Sequence, residues 1–217
     1  MGSAELDPGW FDAKAQDDPA WLRWRNPDRI AAQIDLLFTE TFATVPVGEV
    51  GWWVAQGYSR APINGDADAY ADIIPPMPGA DRYSDAMLHW IEGVFDWFFP
   101  DETSMYDPGN AELVDRFACW IGETFVRRAG GVWFNGGYDS PISGLFGGTF
   151  APKVGYHYDA PADDISDRLF LSVEDEDVPD FSRVTDEIYS RAIDYAEAYD
   201  LPHEGRELRN IARSTEG

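Results

Sequence analysis

The sequence predicts an α+β fold: a mainly helical N-terminal two-thirds, a small antiparallel sheet around residues 132–173, and a C-terminal helix. Two observations carry that prediction. Apolar side chains recur at the 3.6-residue period before residue 130 and again after 180, whereas β-branched and aromatic runs gather between. Helix and strand signals are thus clustered rather than alternating, which argues against a doubly wound parallel sheet.

Residues 1–20 read as an acidic, irregular lead, 21–202 as a single domain, and 203–217 as a frayed tail. Asp18-Pro19 supplies an N-cap acceptor and a proline at the first helical position, and a longer helix restarts at Pro27. Ile30, Ile34, Leu37, Phe38 and Phe42 form its apolar stripe, which Pro46 and Gly48 end. Residues 49–58 are aromatic and β-branched enough for a short strand. Residues 59–81 carry Asn64-Gly65, Pro75-Pro76 and Pro78-Gly79, the signals of an exposed loop. Asp66, Asp68 and Asp72 within it lack the order of a calcium-binding helix-loop-helix.

Residues 83–99 read as a helix with Met87, Leu88, Ile91, Phe95 and Phe98 on its apolar side, stopped by Pro100. Asn110 is placed to cap a second helix, in which Leu113, Phe117, Trp120, Ile121, Thr124 and Phe125 keep the period. Arg127 and Arg128 suit the negative end of that helix, and Gly130-Gly131 closes it. Strands are expected at 132–134, 153–158 and 169–173, and a last helix at 181–199 with Val184, Ile188, Ala192, Tyr195 and Tyr199 on one face. The glycine-rich stretch 140–150 matches neither nucleotide-binding glycine motif and has no basic residue to meet a phosphate.

Composition narrows the function. The chain carries 40 Asp and Glu against 16 Lys and Arg, a formal net charge of −24. Such a field repels nucleic acid and anionic membranes and attracts basic proteins. The same acidity also fits a salt-adapted or high-GC proteome. Disorder is excluded, because 44% of the residues are hydrophobic and 9 Trp, 13 Phe and 10 Tyr can form a core. No apolar run is long enough to span a membrane and the start lacks the order of a signal peptide, so the expected location is the cytoplasm. Cys119 is the single cysteine, flanked by Phe117, Ala118, Trp120 and Ile121, and reads as a buried core thiol. No cofactor or metal is expected.

Residues 120–134 (WIGETFVRRAGGVWF) form a distinctive unit. Gly122 lets another element approach the helix, Glu123 pairs with Arg127 at i,i+4, and Gly130-Gly131 turns the chain into a strand bearing Trp133. The unit resembles the helix–Gly-Glu–Arg–Gly-Gly–aromatic strand of small uncharacterised bacterial domains. Several of those look like immunity or accessory proteins of toxin systems, and the resemblance implies a role of that kind.

Residues 163–180 hold the acids Asp163, Asp164, Asp167, Glu174, Asp175, Glu176, Asp177 and Asp180 against one base, Arg168. Such a patch speeds capture of a basic partner and sets specificity. Toxins that bind nucleic acid are basic because they neutralise phosphates, so carboxylates placed where phosphates would sit can block them. The leading expectation is a non-catalytic acidic protein that binds a basic partner as an immunity-type inhibitor. A small hydrolase or sugar-binding enzyme is the alternative, with His157 and Asp159 as catalytic residues, which face the same side only if the strand at 153–158 extends through Asp159. A third is an accessory subunit whose Trp21 to Trp24 and Trp52-Trp53 segments are exposed.

Overall fold

The chain is described over residues 12–49, 74–137, 150–173 and 181–205 in a computed structural model. Helix α1 (Pro19–Trp24) starts where the Asp18 carboxylate accepts from the N–H groups of Ala20 and Trp21, at 2.6 and 3.0 Å. Asn26 repeats the device for α2 (Pro27–Leu36), accepting from Asp28 and Arg29. Each cap satisfies donors that the first helical turn leaves unpaired. Helix α2 continues into a π turn, Leu37–Thr41. Its extra residue per turn lets the neighbours Leu37 and Phe38, and then Thr41 and Phe42, all turn inward.

Helix α3 (Asp85–Phe98) is capped by Ser84 and buries Met87, Leu88, Ile91 and Phe95. Helix α4 (Ala111–Ala129) is the centre of the molecule, touching α2 and the sheet. Asn110 holds its N-cap position without capping it; the side-chain amide donates instead to the Ser104 carbonyl at 2.8 Å. Gly130 ends the helix at φ +64°, a left-handed conformation that costs glycine little. On α4, Phe117 is fully buried among Phe42, Phe95, Phe98 and Phe99, with ring centroids 5.3–5.9 Å away. Cys119 is buried as expected, and burial pushes its thiol pKa well up.

The sheet is antiparallel in the order β1 (Val132–Asn135), β2 (Pro152–Gly155), β3 (Asp163–Asp164). Val132 pairs with Gly155 and Asn135 with Pro152; Val154 pairs with Asp163. Two strand expectations are corrected. Residues 169–173 are not a strand: helix α5 (Ile165–Leu171) covers their start, because Asp164 caps it through Ser166 and Asp167, and Ile165 and Leu169 bury at i,i+4. Strand β2 stops at Gly155 rather than reaching 158, because Tyr156 turns inward to donate to Asp163 at 2.7 Å and the chain bends over 157–159. Helix α6 (Ser182–Ala198) packs on α4 and buries Val184, Ile188 and Ala192, while Tyr199 lies beyond it on the surface.

Apart from Glu49, the expected strand at 49–58 lies outside the described residues, as do the calcium-like aspartates, Trp52-Trp53, the glycine-rich 140–150 up to Phe150, the acids 174–180 and the tail from 206. Among the described residues no helix is long and apolar enough to cross a membrane.

Candidate partner-binding surface

The acid run divides where the chain enters α5. Asp163 is 0% exposed and cannot meet a partner, which corrects its assignment to the binding patch. Its Oδ1 accepts from Arg168 Nε and Nη2 at 3.1 and 2.6 Å, and its Oδ2 from Arg191 Nε at 2.9 Å and the Tyr156 hydroxyl. Arg191 is also held by Glu187 at 2.5 Å and Asp194 at 3.5 Å. The cluster ties β3, α5 and α6 together. Asp164 is engaged too, capping α5 and pairing with Lys153 at 3.0 Å. Asp167 is exposed, and partial burial followed by the Asp164 charge raises its pKa.

Tyr156 and Tyr158 take their character from this cluster. Burial first, and then the neighbouring carboxylates Asp163 and Asp194, push both phenols far up. The unfolded chain releases such protons first, near pH 10, so the contribution of these two phenols to folding stability is flat below about that pH and falls above it. An alkaline titration followed at 295 nm is expected to show both phenols ionising only as the chain unfolds. Two further hydroxyls titrating at the ordinary value in folded protein would contradict this.

Residues 120–134 assemble as the spacing implies. Glu123 Oε2 accepts from Arg127 Nε at 3.3 Å, and its Oε1 accepts from Trp133 Nε1 at 3.1 Å. The Trp133 indole lies against Gly122, where an added Cβ would stand 1.8 Å from its ring. Glu123 and Arg127 also line an open cleft of about 480 Å³ between α2 and α4, with Asp28, Asp35, Arg82 and Tyr83 around a floor of Ile30 and Ile34. Arg82 pairs with Asp35 and lies over Phe38, and Arg127 lies over Tyr83. The sequence shows Glu123–Arg127, because both lie on one helix. It has no signal for the cleft, which exists only where α2 meets α4.

Seven of the described cations are held in ion pairs below full exposure. Arg29, Arg82, Arg116, Arg128, Lys153, Arg168 and Arg191 each lie within ion-pair distance of a carboxylate, and none is fully exposed. Asp28, Asp35, Glu40, Asp81, Asp85, Asp101, Asp107 and Glu112 stand in solvent. Lys14, Arg23, Arg25, Arg127 and Arg183 are exposed as well, and Asp35, Glu40, Asp85 and Glu112 are themselves the partners of Arg82, Arg116 and Arg128.

His157 and Asp159 are both exposed, on a bend rather than a strand, and no hydrogen bond joins them among the described residues. The alternation that would place them side by side does not apply. Trp21 and Trp24 are 0% and 5% exposed, stacked on each other at 5.6 Å, so the apolar patch expected of them is absent among the described residues. His89 sits on the exposed side of α3, 3.5 Å from Glu92 and 3.4 Å from the Tyr189 hydroxyl. No group of three metal-ligating side chains occurs among the described residues. No protein-family model, curated protein or solved structure matches the chain.

Proposed function

We propose that this is a cytoplasmic, non-catalytic acidic protein of bacterial type that binds a basic protein, as an immunity-type inhibitor of a basic toxin or nuclease does. The excess of acids over bases supports this reading. The chain carries 40 acids against 16 bases, and acids such as Asp28, Asp81, Asp101 and Asp107 are exposed to solvent. A field of that kind steers a basic partner and presents carboxylates in place of phosphates. The acids Asp167, Glu174, Asp175, Glu176, Asp177 and Asp180 remain the proposed contact set, with Asp164 at its edge.

The tagged protein is expected to retain a basic protein from the lysate of its own cells. The purified pair should associate at least about tenfold more slowly in 0.5 M than in 0.05 M salt, as steered encounters do. Changing Glu174, Asp175, Glu176 and Asp177 together to lysine should slow association further at low salt, read by stopped flow. A partner whose association rate ignores both salt and the charge reversal would overturn the proposal.

A further inference from the structure

The cleft between α2 and α4 is held in shape by buried contacts. Trp120 Nε1 donates to the Arg82 carbonyl and Arg128 Nη1 to the Tyr83 carbonyl, each at 3.0 Å. Asp81 accepts from the Tyr83 N–H at 2.9 Å, so the backbone that carries Arg82 and Tyr83 is tied to α4. Trp133 fixes the Glu123 carboxylate, donating to its Oε1 at 3.1 Å. Ile30 and Ile34 supply an apolar floor. The cleft is thus formed before anything enters it, which lowers the cost of binding.

Its charges do not balance. Three carboxylates, Asp28, Asp35 and Glu123, line it against two guanidinium groups, Arg82 and Arg127. Arg82 is engaged by Asp35 and the Phe38 ring. The exposed carboxylate of Asp28 has no ion pair or hydrogen bond among the described residues. Arg127 shows what the cleft accepts. Its guanidinium carbon stands 4.6 Å from the centre of the Tyr83 ring while its Nε donates to Glu123 at 3.3 Å. An aromatic face beside a carboxylate suits a guanidinium, because a planar cation stacks and donates at once. Arg127 holds that place weakly: its side chain is 57% exposed, and exposed pairs contribute little.

We infer that this cleft receives an arginine side chain of the basic partner, whose guanidinium takes the place of Arg127 on Tyr83 and Glu123. The inference rests on the basic-partner reading and gives that partner a second contact, apart from the acid run. The incoming methylene stem covers Ile30 and Ile34, and Asp28 adds a carboxylate that no described cation answers. Arg127 is then an internal competitor, seated in the free protein and released to solvent in the complex. A lysine fits less well, because its compact ammonium does not stack as a planar guanidinium does.

The test is a titration of the purified protein with N-acetyl-arginine amide, read from the methyl NMR signals of Ile30 and Ile34. The arginine probe should shift both signals saturably, and the corresponding lysine amide should bind at least about threefold more weakly. The uncharged norleucine amide should leave both signals in place. Arg127→Gln is expected to tighten the arginine probe about threefold and Asp28→Asn to weaken it about as much, as exposed ion pairs allow. Arg23→Gln makes the same charge change outside the cleft and should leave the affinity unchanged. All three side chains are exposed, so the variants keep the fold. In the complex, Asp28→Asn should speed dissociation about threefold, whereas reversing the acids 174–177 acts on association. An arginine probe that moves neither signal, a norleucine probe that binds equally, or equal effects of Arg127→Gln and Arg23→Gln would overturn the inference. A basic partner retained while the probe fails would overturn the cleft and not the proposed function. A probe bound with no basic partner retained would overturn the function and, with it, the source of the arginine.

Discussion

Replacing Asp163 by asparagine is expected to lower the unfolding free energy by about 3 kcal/mol, near the lower end of the cost of breaking a buried ion pair. The carboxylate is fully buried and receives Arg168, Arg191 and Tyr156. An asparagine keeps one acceptor oxygen but turns an amide N–H₂ toward one of the two guanidinium groups. Arg191 is 7% exposed, so the loss is poorly relieved by water. It retains Glu187 and Asp194, which keeps the penalty from the top of the range. Urea unfolding at pH 7 should show a lower midpoint with an unchanged slope. A loss below about 1 kcal/mol would mean that Glu187 and Asp194 stabilise Arg191 without Asp163.

That expectation bears on how the acidity should be read. In an acid-rich run, Asp163 has the same local signature as Asp167, yet one is buried and the other in solvent. The difference comes from Arg191, 28 residues along the chain, and from Tyr156 just past the end of the neighbouring strand. No local pattern encodes that meeting. Charge reversal at Asp163 would therefore report on folding, and only the exposed acids can report on a partner.

Where the cause lies within one turn of helix, the sequence was legible. Asp18-Pro19 and Asn26-Pro27 start helices because a short polar acceptor and a fixed φ act locally. The stripe from Ile30 to Phe42 is buried as its spacing demands, and Gly130 takes the left-handed conformation that a helix end invites. Residues 169–173 (LFLSV) misled because β-propensity describes a half-buried surface, which an amphipathic helix also supplies. The cap at Asp164 and the buried pair Ile165 and Leu169 decided in favour of the helix. His157 misled for the opposite reason: its face depended on how far a strand ran, and an inward-turning tyrosine ended that strand. The side-chain amide of Gln16 donates to the Asn135 carbonyl across 119 residues of sequence, so neither residue is distinctive alone.

Gly122→Ala is expected to destabilise the protein by about 2–3 kcal/mol, although alanine favours a helix interior by about 1 kcal/mol over glycine. The clash outweighs the propensity. An added Cβ would stand 1.8 Å from one Trp133 ring carbon and 2.2 Å from the next, far inside contact distance. The indole has little freedom to withdraw. It meets Trp24 edge-on at 5.2 Å, its Nε1 donates to Glu123, and its Cα is opposite Val154 in the sheet. Movement of the ring therefore moves β1 or breaks the bond to Glu123. In Trp133→Leu the clash disappears, so adding Gly122→Ala to that variant should cost little or regain the helix propensity. The double-mutant cycle should show a coupling of about 2 kcal/mol, toward the upper part of the range for residues in contact. A neutral single substitution would mean that β1 slides on α4 rather than being keyed to it. The position of the strand, and of the Glu123 carboxylate that Trp133 holds at the cleft, would then not be fixed by the 120–134 unit.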